Sequence, residues 1–211
     1  MSDIEQWVDT WRDLSVADSP TLRQLYADVR ARYAESHRHY HTHQHLAECF
    51  EKVQDIIVLA PHPAEVKLAL WFHDAVYDTR RHDNEQRSAE WARGAAQDLG
   101  ARAEIAERIY DLIMSTRHAA EPVGPDAQVL VDVDLSILGA EAGRFREYET
   151  QVRCEYSWVP DDTFRLGRAK ILKDFLGRPQ IYSTARFRER YEAPARRNLR
   201  DSLEHLTCPT P

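Results

Sequence analysis

Apolar residues recur along this chain at intervals of three and four, the period of helices that bury one face, and no stretch alternates convincingly as a strand would. Ser19-Pro20 has the form of an N-cap followed by a first-turn proline, so a helix is predicted from there to about Glu35. Leu46, Phe50, Val53 and Ile57 predict a helix over about 42–60, broken by Pro61-His62-Pro63. The next is expected from about Ala64 to Tyr77, and Asp83 or Asn84 should cap another that ends at Gly100. Further helices are predicted over about 102–117, 126–138, 141–156, 162–176 and 184–206, with one long loop signal at Ala119–Pro125. The expectation is an all-α, single-domain bundle of eight to ten helices over 1–211. Its C-terminal helices, 141–206, should pack on a core within about 38–139.

Composition narrows the function. An apolar fraction of 43% suffices for a sizeable core, and 30% charged residues with no long apolar run argue against a membrane-buried chain. The acidic, aromatic start MSDIEQWVDTWRDL lacks the basic-then-apolar order of a secretory signal, so a cytoplasmic location is expected. Cys49, Cys154 and Cys208 show no CxxC spacing, which argues against a disulfide frame or zinc ribbon. A net charge of −7 argues against a nucleic-acid partner but leaves a small anionic substrate open, because a pocket can oppose the global sign. The six arginines of 186-RFRERYEAPARRNLR-200 read as a solvated helix face, with Glu192 paired to Arg188 and Arg196.

Histidine is where the chemistry concentrates: eight of ten lie between His37 and His82, five of them in 37-HRHYHTHQH-45. Residues four apart share a helix face, so His41 and His45 can point together, with His45 on the inward stripe of Cys49 and Ile56. His37, His39 and His43 read as a solvated surface. In 70-LWFHDAVYD-78, His73 falls on an apolar stripe with Val66, Leu70 and Tyr77, Asp74 is adjacent, and Asp78 lies one turn further on. A carboxylate beside a core stripe needs a cation or dense hydrogen bonding. Both a divalent ion and a plain His–Asp hydrogen bond meet that need. In 129-VLVDVDLSILG-139, Asp134 shares a face with Leu130, Val133, Ile137 and Leu138, whereas Asp132 points nearer the helix edge. Three polar intrusions into apolar helices favour a shared metal.

With RHYHTHQH, WFHDAVYD, DNEQRSAEW and DVDLSILG in that order, and EAPARRNL near the end, the chain resembles a bacterial branch of the HD superfamily of metal-dependent phosphohydrolases over about Arg38–Gly139. The resemblance implies an HD-type helical domain holding a divalent ion (Mn, Fe, Co, Ni, Zn or Mg) through His45, His73, Asp74 and Asp134. YHTHQH is similar to the YHNxxH of cyclic-nucleotide phosphodiesterases, which implies ligand duty for His45 and proton donation for His41. Val133-Asp134-Leu135 matches their ADL and favours Asp134 over Asp132. Asp78 resembles the second acid of the HDxxED motif of (p)ppGpp hydrolases, although Tyr77 stands where that motif has glutamate. On this reading Asp78 orients or deprotonates water, His41 protonates the leaving oxygen, and Arg38 pairs with a phosphate through its planar fork. His118 and Glu85 are candidates for a second metal or for the phosphate, with helix capping as the alternative for each. The expected activity is hydrolysis of a phosphomonoester, pyrophosphate or phosphodiester bond in a small, nucleotide-like substrate. The alternatives are a di-iron oxygenase that His118 helps to build, and a non-catalytic metal- and nucleotide-binding module.

Overall fold

A computed structural model describes residues 3–207; Met1, Ser2 and Cys208 lie outside the described residues. Among these residues every regular element is helical. Contacts divide the chain into two compact units, Met1–Val131 and Asp132–Pro211.

The first unit holds α1 (Asp3–Asp13), α2 (Pro20–Arg32), α3 (His43–Val53), α4 (Pro63–Phe72), α5 (Asn84–Asp98), α6 (Ala103–Ser115) and most of α7 (Pro125–Asp134). Helix α4 is the centre, packed by α1, α3, α5 and α6. Eight of its ten residues are buried, leaving only Pro63 and Lys67 toward solvent. The long helix expected to Tyr77 stops at Phe72. Beyond it the Arg38 guanidinium takes the carbonyls of Asp74 and Ala75, at 2.6 and 3.2 Å, and Ser88 Oγ receives the Val76 N–H. Helix α3 likewise ends at Val53, short of Ala60, with a turn and a 3-10 segment (Ile57–Leu59) after it. Helix α1 was not anticipated by the sequence pattern, yet it delivers Trp7 and Trp11, both fully buried. Trp7 packs edge-on to Trp71 at 5.5 Å and donates its indole N–H to the Leu22 carbonyl. Ser19 caps α2 as expected, accepting from the Leu22 N–H.

The second unit contains the end of α7, a 3-10 segment (Leu135–Gly139), α8 (Ala142–Glu155), α9 (Asp161–Leu176), the short α10 (Ala185–Phe187), a π segment (Arg188–Glu192) and α11 (Ala193–Thr207). Helix α11 packs on α9 and on the 3-10 segment. Gly139 is required there: a Cβ at this position would meet the Tyr191 Cβ at 2.7 Å and its carbonyl oxygen at 2.8 Å. The π segment precedes Pro194, which has no N–H for the Arg190 carbonyl and whose ring crowds it, so the backbone widens. Glu192 pairs with Arg196, as expected, but also accepts the Ile181 and Tyr182 N–H groups. Arg196 further donates to the carbonyls of Leu176 and Arg178. Arg188 instead donates to the Ser183 carbonyl. These groups anchor the loop before α10 and are not merely a solvated face.

Candidate metal centre

Three pieces of the first unit converge: α3, the C-terminus of α4, and the segment 33–42 that leads from α2 into α3. Thr42 caps α3 by accepting the Gln44 N–H, which sets His45 and Cys49 one turn apart on its inner face. His73 ends α4 as its C-cap. Both histidines are nearly inaccessible, at 2% and 1% exposure, and Cys49 is fully buried.

The His73 ring is fixed in a particular tautomer. Its Nδ1 lies 2.8 Å from the Leu70 carbonyl oxygen, an acceptor only, so Nδ1 carries a proton. In the neutral ring Nε2 then has a lone pair, and it faces the Asp74 carboxylate at 3.0 Å and His45 Nε2 at 3.1 Å. His45 Nε2 lies 3.5 Å from the same carboxylate oxygen. A lone pair and a carboxylate oxygen at this distance repel unless positive charge intervenes. A second proton on His73 or a shared cation removes the repulsion. Nitrogen and oxygen donors bound at about 2.0–2.2 Å around one tetrahedral ion lie roughly 3.3–3.6 Å apart, so the 3.5 Å spacing already fits, and the 3.0 and 3.1 Å contacts have to open by a few tenths of an ångström to admit an ion. The Leu70 carbonyl behind His73 is also the outer partner that a metal-binding imidazole commonly has.

Protonated imidazoles answer the same need as a cation. Burial alone would raise the Asp74 pKa, but the His73 and His41 imidazoles, with hydrogen bonds from His45 and His73, hold it well below the usual carboxylate range. The Tyr33 phenol, which donates to the Trp71 carbonyl, is pushed up to about 12, chiefly by burial.

The other expected residues fall in different roles. Arg38 does not offer a free fork: its side chain is buried and donates to Glu35, His41 O, Asp74 O and Ala75 O. It also lies over the Tyr33 and Tyr77 rings, so it clamps the segment before α3 to the segment after α4. His41 is half-buried and stacks on Tyr77 with ring centroids 4.1 Å apart. Tyr77, at the position where the resembling motif has glutamate, therefore orients His41.

Asp78 sits in a loop, not one helical turn beyond Asp74; its Oδ1 accepts the Arg80 N–H in an Asx-type turn. Asn84 holds that loop, accepting the Asp78 N–H and donating to the Asp78 carbonyl. Asp83 occupies the N-cap position of α5 without a side-chain cap bond and pairs with Arg81. Glu85 stands in the first turn of α5, half-buried. His118 follows α6 in the left-handed region, φ 54°, and is not among the residues whose ligand atoms gather with His45 and His73. His37 donates to the Tyr77 carbonyl, and His43 accepts from Arg30.

In the second unit Asp134 closes α7, half-buried. Burial raises the pKa of the Tyr148 phenol against the opposing Arg168 guanidinium, with the Glu149 charge and, less, the Asp134 charge adding to the rise. Asp132, expected nearer the helix edge, is fully buried and accepts the Ser183 and Thr184 N–H groups at 2.6 and 2.7 Å. Its carboxylate is therefore committed to the backbone. The expected ligand set omitted Cys49. Its position four residues after His45 on the inward stripe is the signal that points to it. No helix among the described residues is long and apolar enough to cross a membrane. No protein-family model, curated protein or solved structure matches the chain.

Proposed function

We propose that this protein is a metal-dependent phosphohydrolase of HD type, acting on a phosphomonoester, pyrophosphate or phosphodiester bond of a small nucleotide-like substrate. The observation that carries the reading is the convergence of two buried imidazoles and a carboxylate, with His73 Nε2 at 3.0 Å from Asp74 and 3.1 Å from His45 Nε2. Two imidazoles and a carboxylate are a donor set for first-row divalent ions, and Asp134 is proposed as the further carboxylate. The choice of Asp134 rests on its helix face, shared with the buried Leu130, Val133 and Ile137, and on the commitment of Asp132 to Ser183 and Thr184.

A bound divalent ion supplies Lewis acidity and a lowered pKa for water. The chain's own groups supply the rest. His41, held against Tyr77, donates a proton to the leaving oxygen, and Asp78 orients the attacking water. Arg38 is assigned to positioning: it fixes the His41 and Asp74 backbones together. The test is phosphate release from a panel of nucleotides, with the protein stripped and reloaded separately with Mn, Fe, Co, Ni, Zn and Mg. Release that follows the metal and disappears in His73→Ala supports the reading. Bound metal with no release from any phosphate ester overturns it.

A further inference from the structure

Cys49 has an arrangement that packing alone does not require. It lies one helical turn after His45, fully buried, with Sγ 3.7 Å from His45 Nδ1 and 3.8 Å from Nε2. The ligand atoms of His45, Cys49 and His73 all lie within 4.8 Å of one another. A thiolate and an imidazole sharing a tetrahedral ion, bound at about 2.3 and 2.0–2.1 Å, have S and N roughly 3.6 Å apart. The sulfur already sits at that separation. Helix geometry alone brings Cys49 to His45, four residues earlier, but the His73 ligand atom comes from the end of another helix and gathers at the same point.

We propose that Cys49 is a thiolate ligand of the ion held by His45 and His73, and that its sulfur selects Zn²⁺, Co²⁺ or Fe²⁺ over Mg²⁺ or Mn²⁺. The proposal rests on the metal reading above and specifies which ions the site takes. The step is a simple exchange: the Cys49 S–H bond breaks, its proton leaves to solvent, and the sulfur electron pair forms the bond to the ion, with no change of oxidation state. Soft thiolate prefers the later divalent metals, whereas carboxylate and water suit Mg²⁺ and Mn²⁺.

The experiment uses the full chain with Cys154→Ala and Cys208→Ala, so that Cys49 is the only thiol. Co²⁺ added to the stripped protein should produce a sulfur-to-cobalt charge-transfer absorption in the near ultraviolet. X-ray absorption of the Zn²⁺ form should show one sulfur among lighter ligands. Adding Cys49→Ala should remove both signals, and equilibrium dialysis should show Zn²⁺ affinity falling by about tenfold or more while Mn²⁺ affinity changes far less. Far-ultraviolet circular dichroism checks that this variant folds, and the two spectroscopic signals of the parent stand without it. Stoichiometric Co²⁺ binding with no charge-transfer band overturns the role of Cys49 and leaves the metal reading intact. Failure to bind Co²⁺, Zn²⁺ and Mn²⁺ alike overturns both.

Discussion

Asp74 and Asp132 are the same residue type, each beside apolar helix residues, one in each unit, yet they are stabilised in opposite ways. Asp132 turns both oxygens to backbone N–H groups, and burial nonetheless pushes its carboxyl pKa up. Asp74 faces the imidazoles of His73, His45 and His41, which outweigh burial and hold its pKa well down. Burial of a carboxylate therefore says little about function. The atoms facing it separate a backbone anchor from a group that seeks a cation.

The sharpest way to break the comparison is to remove each partner and ask what is lost. His73→Ala and Asp74→Ala should each reduce bound metal to background by elemental analysis, with helix content largely kept. Asp132→Ala should retain wild-type metal content, and Asp134→Ala should lose metal far more severely than Asp132→Ala. Wild-type metal in both His73→Ala and Asp74→Ala would erase the distinction between the two aspartates.

The next effect concerns His41, which neighbours Asp74 electrostatically but is assigned to proton donation and not to ligation. His41→Ala should keep its metal and lose turnover by about 10²–10⁴-fold on alkyl phosphates, the range of a general acid. With p-nitrophenyl phosphate, whose leaving group scarcely needs a proton, the loss should be much smaller. Asp78→Asn should retain metal too, but its defect should persist with both leaving groups. Metal loss in His41→Ala, or the same leaving-group dependence in both variants, would overturn these roles.

Third comes stability. Asp132→Ala strands the part-buried Ser183 and buried Thr184 N–H groups, which should cost about 2–3 kcal/mol in denaturant unfolding. A change near zero would mean that water replaces the carboxylate there.

How far these differences were legible varies with the range of the interaction involved. Local rules found the Ser19-Pro20 helix start, the Gly100 stop and the register that turns His45 inward. The apolar pattern carries α4 past its end at Phe72 because the Arg38 donors that capture the Asp74 and Ala75 carbonyls come from 36 and 37 residues away. For the same reason Arg38 looked like a free phosphate fork. Asp132 looked peripheral because its partners, Ser183 and Thr184, lie 51 and 52 residues further on. Helix α1 escaped because the charged residues around Trp7 and Trp11 mask two fully buried rings. Asp74 itself was legible because its partner His73 is adjacent in sequence.

A third buried carboxylate sets the small end of the scale. Glu65, in the first turn of α4 and only 3% exposed, meets Arg108 of α6 in a two-bond fork at 2.6 and 2.8 Å. It is neither a backbone anchor nor a cation seeker, since its counter-charge is a side chain of its own unit. Breaking a buried ion pair from one side costs about 3–5 kcal/mol, but the Arg108 side chain is 40% exposed, and water reaching the fork screens part of that. Arg108→Ala should therefore lower stability by only about 1–2 kcal/mol, with metal content unchanged. Adding Glu65→Gln should recover part of the loss, because the stranded charge goes with it. A double-mutant cycle on unfolding free energies measures the coupling. Coupling near zero would mean that solvent already neutralises Glu65, and that a guanidinium is not a third means of holding a carboxylate in this core.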